Sequence, residues 1–377
     1  MLRIGIVAGE PSGDQLAAGL IAALRDRRPD LDAFGIAGPR MAATGCQVWT
    51  PMDRLAVMGI GEIIARYPEL KRLQRDTIAY FLAQRPDVFI GVDAPEFNLE
   101  VEEQLRRAGI RTVHYVSPTV WAWREGRLKK IRRAVDLMLT LFPFEETYYR
   151  SRDMAVRFVG HPLVDELSQG PGRAHARERL AIAPDAVVLA LLPGSRGSEL
   201  KHHAVPFLRT ACWCVARLPR LQVIVPVVGV AGRDVMEAAA RRVAPDLNVR
   251  VVVDRAREVL AAADSTLVAS GTATLEAMLL GCPMVVAYRA SWLSYALIRP
   301  LLRIPRFSLP NLLADAEVVP EFIQGAATPA KMGPPLLALL SDPARRDAMR
   351  AAFQRLAAAL QGGASGHAAE AVLEQLA

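Results

Sequence analysis

Asp264-Ser265-Thr266-Leu267-Val268-Ala269-Ser270-Gly271-Thr272-Ala273-Thr274-Leu275-Glu276 is the stretch whose reading decides the fold of this 377-residue chain. Thr266–Ala269 reads as a short apolar strand that breaks at Ser-Gly-Thr into a helix carrying Glu276 one turn in. Gly281-Cys282-Pro283 stops that helix, and a second strand, Met284–Tyr288, follows. A strand–turn–helix of this kind gathers free backbone N–H groups, hydroxyls and the positive end of a helix dipole at one spot, which suits a phosphate. Glu276 is placed to accept hydrogen bonds from a ribose. Taken alone, the stretch is also explained as a plain βαβ crossover with a Ser/Thr cap.

The same scheme repeats in both directions. Apolar strands are expected at 4–8, 33–37, 88–92, 112–116, 137–141 and 157–159, and then at 187–192, 222–225, 250–253, 266–269 and 285–288. Helical stretches such as 69–84 and 99–108 lie between them. Strands this apolar, spaced by helices, belong to parallel sheets covered on both faces. Ser168-Gln169-Gly170-Pro171-Gly172 reads as a linker. The expected fold is therefore α/β: two Rossmann-like, doubly wound domains, 1–167 and 173–342, facing a cleft. The last helices, near 343–360 and 368–376, are expected to cross back onto the first domain.

Composition narrows the function. Hydrophobic residues make up 52% and charged residues 23% of the chain, enough for two normal cores. The net charge of +7 is spread over both halves. Neither half is a polycation, which argues against nucleic acid and leaves anionic lipid or a phosphorylated ligand. The cysteines at 46, 212, 214 and 282 are too few and too apolar in context for a disulfide framework, and read as reduced core thiols. The first residues read as a strand and not as a signal peptide. No run of about 18 apolar residues is present. A cytoplasmic protein is expected.

In doubly wound sheets ligands bind beyond the carboxyl ends of the strands, so the residues just after each strand are the candidates. After the first strand comes Gly9-Glu10-Pro11-Ser12-Gly13-Asp14, which is not the G-x-G-x-x-G fingerprint of NAD sites. Ser12 and Asp14 are placed to cap a helix, and Glu10 with Asp14 exceeds what a cap requires. After the third comes Asp93-Ala94-Pro95-Glu96-Phe97-Asn98. Asp93, at the end of an apolar strand, is either a general base on a hydroxyl or a turn residue before Ala-Pro. Trp121-Ala122-Trp123-Arg124 and the basic run to Arg133 suit an acyl chain or a membrane interface, or else a solvated basic helix above core tryptophans. His161 reads as structural. In the second half Gly194-Ser195-Arg196 ends a strand and begins a helix, a second phosphate-type turn in which Arg196 can compensate a diphosphate's charge. Asn311 lies in a loop, a turn residue by itself. Asp30-Leu31-Asp32 has the D-x-D pattern but sits before a strand, away from any ligand edge, so no metal site is expected. The apolar segment 55–66, followed by Lys71, Arg72 and Arg75, reads either as core or as a lipid-touching flap.

Together these motifs identify a resemblance that covers nearly the whole chain. Val7–Asp14, Asp93–Asn98, His114–Arg124, Phe142–Glu145, Gly160–Pro162, Leu192–Gly197, Ala269–Ala273 and Ser308–Leu312 resemble, in order, the motifs of the lipid-A-disaccharide synthases, bacterial inverting glycosyltransferases. Pro11 stands where that family usually has Ala, and Thr119 where Ser is common. The resemblance implies a GT-B fold, no cofactor and no metal. It implies UDP-2,3-diacylglucosamine as donor and 2,3-diacylglucosamine 1-phosphate (lipid X) as acceptor. It makes Asp93 the catalytic base and gives Gly194, Ser195, Arg196, Ser270, Gly271, Thr272, Glu276 and Asn311 to UDP. Glu10, Ser12, Asp14, Asn98 and Trp123 would line the sugar cleft. Acylated substrates make an apolar, basic-rimmed patch at the 55–75 segment, with Val57, Met58, Ile60, Ile63, Lys71 and Arg72, or at the 121–133 segment, an expected lipid contact at the cytoplasmic face of the inner membrane. Oligomeric state stays open, a homodimer included. The competing reading is a UDP-N-acetylglucosamine 2-epimerase-like isomerase of the same architecture, with a soluble sugar and no acyl surface.

Overall fold

The computed structural model describes the chain except for residues 56–59, 123–124, 169, 171, 293–294, 296–298, 300–303 and 377; the side chains of 60–65 and 125 are likewise outside the described set. The chain forms two compact units, Met1–Pro162 with Leu360–Ala377, and Leu163–Ala359.

The first unit is built on a seven-stranded sheet of β1 (Leu2–Ala8), β2 (Leu31–Ala37), β3 (Gln47–Pro51), β4 (Val88–Val92), β5 (Arg111–Tyr115), β6 (Leu137–Thr140) and β7 (Val156–Phe158). Its order is β3-β2-β1-β4-β5-β6-β7, and every pairing is parallel. The second unit carries β8 (Val188–Leu192), β9 (Gln222–Val227), β10 (Val249–Val253), β11 (Ser265–Ala269), β12 (Met284–Tyr288) and β13 (Glu321–Ile323). They lie in the order β10-β9-β8-β11-β12-β13, again parallel throughout. The central strands β4, β8 and β11 are buried at every position, as apolar runs covered on both faces must be. Strand order reverses between β1 and β4 in one sheet and between β8 and β11 in the other. These are the two switch points, where the crossovers diverge and leave a crevice at the carboxyl edge.

Two expected boundaries shift. The segment before the 168–172 linker does not close the first unit: the helix Pro162–Ser168 packs with the second, because Leu167 is buried and Glu166 binds Arg257 at 3.1 Å. At the other end only the last helix returns. Pro343–Ala359 stays on the second unit, held by buried Phe353 and by Arg350 Nε on the Gly281 carbonyl at 3.1 Å. Ala364–Glu374 lies on the helix Pro11–Arg27, with Ala368, Ala369, Ala371 and Val372 in one core with Leu20, Ile21 and Leu24. A β-carbon on Gly19 would collide with the Ser365 hydroxyl, so the glycine leaves room for that side chain between the two helices. Short edge strands β3 and β13 were not legible as strands; their pairing to β2 and β12 creates them.

Candidate active site

In the first sheet, register aligns Ala8, Val92, Tyr115 and Leu139 across β1, β4, β5 and β6. The turns that follow them, beginning at Gly9, Asp93 and Val116, are therefore neighbours along one edge. Asp93 is half-buried and left-handed (φ 53°), and Ala94 is left-handed too (φ 43°). Val116 has φ 83°. Left-handed backbone is disfavoured by non-glycine side chains, above all β-branched ones, so this edge holds three strained residues within two adjacent turns.

Glu10 and Ser12 are exposed at the start of the helix Pro11–Arg27. Pro11 occupies the first helical turn, where its missing N–H is no loss, which accounts for the departure from the family's alanine. Glu10, not Ser12 or Asp14, is the N-cap residue, and its side chain makes no capping bond. Asp14 belongs elsewhere than the sugar cleft. It is 2% exposed, and its carboxylate accepts the N–H groups of Gly38 (3.0 Å), Arg40 (3.0 Å) and Met41 (3.1 Å). It ties the helix Pro11–Arg27 to the start of the helix Pro39–Ala43. Asn98 is likewise removed from a sugar-lining role, being fully buried with its amide on the Asp93 carbonyl. Trp123 lies outside the described residues.

Of the described residues of the Trp121–Arg133 segment, Trp121 is half-buried, while Lys129, Arg132 and Arg133 are exposed. Trp121 Nε1 donates to Glu145 at 3.1 Å and its ring packs on Phe144. Arg127 pairs with Glu96, Lys130 with Glu100 at 2.9 Å and Arg133 with Glu103 at 3.2 Å, so the helix Pro95–Arg107 answers the basic run. Burial pushes the Glu145 carboxyl up to about 7, against the hydrogen bonds from Trp121 and the Phe142 N–H. His161, packed against Phe142, is pushed down to about 4 by burial. Of the lipid-contact segment, Val57 and Met58 lie outside the described residues, as do the side chains of Ile60 and Ile63, whose backbone opens the helix Ile60–Gln84. Leu55 is core. Lys71 and Arg72 are exposed, Lys71 bonding Gln74 at 2.8 Å. Asp30 and Asp32 form ion pairs with Arg28 (3.0 Å) and Arg3 (3.4 Å).

In the second unit one pocket of about 400 Å³ opens at the β8/β11 switch point. Gly194, Ser195, Arg196 and Glu199 line one side, Ser270, Gly271, Thr272, Ala273 and Glu276 another. Pro226–Val228 and Asp254, at the ends of β9 and β10, close it. The two phosphate-type turns, 76 residues apart in sequence at Gly194 and Ser270, thus share one hollow because β8 and β11 are paired.

The two turns are not equivalent. Glu199 Oε2 accepts the N–H groups of Ser195 (2.8 Å) and Arg196 (3.1 Å), so the first turn carries its own carboxylate. Gly194 is left-handed (φ 113°), and a β-carbon there would strike Glu199. What the first turn offers a ligand is the exposed Arg196 side chain. The helix Thr272–Leu279 starts at Gly271 (φ 146°) with no side-chain cap, and the space beside Gly271 is open. Among the described residues no side chain caps this positive end, which lies at the pocket. Ser270 Oγ donates to the Phe307 carbonyl at 2.8 Å. Glu276 is held by Arg257 Nε at 2.9 Å, and Arg257 bridges on to Glu166. Arg257 escaped the sequence reading, since a lone arginine in a helix carries no signal until the fold sets it beside Glu276.

Asn311 does not line this pocket. It is 1% exposed; its amide donates to Val319 O and Glu321, both at 2.8 Å, and its oxygen accepts Val318 N (2.7 Å) and Val319 N (2.9 Å). All of its hydrogen-bonding capacity is internal.

Two parallel sheets with ligand-type turns at both switch points define a two-domain α/β protein of the GT-B kind, and solved structures agree. A putative UDP-N-acetylglucosamine 2-epimerase from Listeria monocytogenes superposes with a TM-score of 0.66, covering 99% of this chain and 94% of that one at 12% identity. The calicheamicin glycosyltransferase CalG4 does so with a TM-score of 0.59 at 17% identity, covering 100% and 98%. Both likenesses are of fold alone. The family model for lipid-A-disaccharide synthetase matches residues 4–375. The lipid-A-disaccharide synthase of Sodalis glossinidius is 48% identical over 372 residues, 99% of this chain and 97% of the relative. The chain belongs to the lipid-A-disaccharide synthase family, and is a glycosyltransferase.

Proposed function

We propose that the enzyme moves 2,3-diacylglucosamine from UDP-2,3-diacylglucosamine to the 6-hydroxyl of 2,3-diacylglucosamine 1-phosphate, giving the β(1→6)-linked disaccharide 1-phosphate and UDP. The observation that carries this reading is the second-unit pocket, in which an uncapped helix start, Arg196 and Glu276 converge. A diphosphate answers the helix start and the guanidinium, and a ribose answers the carboxylate. Asp93 is the proposed base. It takes the 6-hydroxyl proton as O6 bonds to the donor's C1 and the bond from C1 to the UDP oxygen breaks on the opposite face, which inverts the anomeric centre. The negative charge that develops on UDP is compensated by Arg196 and the helix dipole, without metal or cofactor.

Both substrates are acylated, so the reading includes peripheral contact with the cytoplasmic face of the inner membrane through the 55–72 segment. The apolar run followed by exposed Lys71 and Arg72 supports it. Among the described residues no helix is long and apolar enough to cross a membrane. No observation in the site favours the epimerase reading over transfer.

The test is incubation with both lipids in the presence of EDTA, following UDP and the disaccharide phosphate together. Equal accumulation of the two is expected. Asp93→Asn is expected to abolish turnover with UDP affinity within about twofold of wild type; turnover at the wild-type rate would remove Asp93 as the base.

A further inference from the structure

The strain at Asp93 and Ala94 must be held by something, and the structure shows what holds it. The Asp93 N–H donates to the Tyr115 carbonyl at 2.8 Å, across from β4 to β5. The Asp93 carbonyl accepts from Asn98 Nδ2 at 2.8 Å, and the same amide nitrogen approaches the Val92 carbonyl at 3.4 Å. Asn98's own N–H returns to the Ala94 carbonyl at 3.0 Å. The Asn98 side chain thus fixes the carbonyl of the peptide that joins the two left-handed residues, while its backbone N–H fixes the carbonyl of the second.

Asn98 is itself immobilised. Glu102, one turn further along the helix Pro95–Arg107, bonds His114 Nδ1 at 2.7 Å, and both groups are fully buried. His114 lies opposite Gly91 in the β4/β5 register. A β-carbon on Gly91 would collide with Glu102 and stand 2.9 Å from Asn98 Cβ. Helix and strand are therefore in contact on both sides of the clamp, with no room for the helix to shift. Neither Asn98 nor the Glu102–His114 pair reaches the surface, so none of them touches substrate.

We propose that Asn98 is a positioning residue, whose carboxamide locks the left-handed Asp93–Ala94 turn and so aims the Asp93 carboxylate, with the buried Glu102–His114 pair as its backing. The proposal rests on Asp93 being the base. Small displacements of a catalytic group are enough to lower turnover about a hundredfold, while the nucleotide pocket belongs to the other unit.

Asn98→Ala and the near-isosteric Asn98→Asp, which keeps the volume but loses the amide donor, are the variants to measure. Both are expected to lose on the order of a hundredfold in kcat, with KM for the UDP-sugar and UDP affinity within about twofold of wild type. Adding Ala94→Gly, which makes the left-handed turn easy without a clamp, is expected to restore kcat at least about tenfold. Wild-type kcat in Asn98→Asp, a loss confined to KM, or failure of Ala94→Gly to restore turnover would each overturn the proposal. If Asn98→Ala does not fold, shown by its melting curve, the Asp variant decides alone. Asp93→Asn is assayed beside them: if it turns over, the base assignment fails, whereas an inactive Asp93→Asn beside fully active Asn98 variants refutes only the clamp.

Discussion

At the scale of single residues, polar groups that share one sequence signature divide by where their hydrogen bonds end. Glu276 lines the pocket while Arg257 Nε holds its Oε1. Asp14 and Asn311 are saturated internally. Removing a buried group that satisfies several backbone partners costs about 1–3 kcal/mol for each one left unpaired. Asn311→Ala is therefore expected to lower stability by roughly 3 kcal/mol or more, read from denaturant midpoints, while UDP affinity of the folded fraction stays near wild type. Arg257→Ala should act the other way: little change in stability, since its ion pairs are partly exposed, and about a tenfold weaker UDP affinity by titration as Glu276 loses its orientation.

At the scale of elements, the apolar runs and glycine stops located all the central strands, because a strand buried on both faces has to be apolar along its length. The edge strands β3 and β13 were illegible for the same reason: their burial is partial, and pairing rather than composition makes them strands. The helix Pro143–Arg150 shows how an element can carry pH dependence. Glu145, in its first turn, is 4% exposed and its carboxyl is raised to about 7, chiefly by desolvation. Below pH 4.5 both the folded and unfolded states hold the proton, and the contribution is fully present. Between 4.5 and 7 the unfolded chain releases the proton first, so stability falls by about 3 kcal/mol in all. Glu145→Gln removes the titration, and wild type should lose stability relative to this variant as pH rises from 4.5 to 8, measured by chemical denaturation at both ends. An unchanged difference would mean that Trp121 and Phe142 hold the carboxylate ionised throughout.

At the scale of the whole molecule, two sheets whose first six strands follow the same order, the first sheet having a seventh, meet different demands. One carries strained turns around a carboxylate, the other an open helix start and an arginine. The net charge of +7 and the exposed Lys71 and Arg72 give a prediction at this scale. Binding to anionic liposomes, followed by co-sedimentation, should weaken several-fold between low and 0.5 M salt, as surface attraction does when the Debye length shrinks from ~10 Å to a few ångströms. Salt-insensitive binding would point to apolar insertion, and no binding would remove the lipid-contact segment from the proposed function.

By itself the sequence determined the periodic alternation of strands and helices, and with it two parallel sheets and a list of turns at their carboxyl ends. These follow from local pattern, because burial on both faces and the chemistry of turns act over a few residues. Only the tertiary structure decided which turn residues line a pocket or stay accessible and which are buried. Asp14, Asn98 and Asn311 sit in motifs as polar as those of Asp93 and Glu276, yet all three are buried and the hydrogen bonds they make end on the protein's own backbone or side chains, for Asp14 on residues 24 to 27 positions away. The stretch 264–276 promised a phosphate site; pairing of β11 with β8 supplied its second wall and Arg257 its brace. A hydrogen bond made across the fold has no signature in local sequence, and at this site such bonds separate the groups left open to a ligand from those that hold the scaffold.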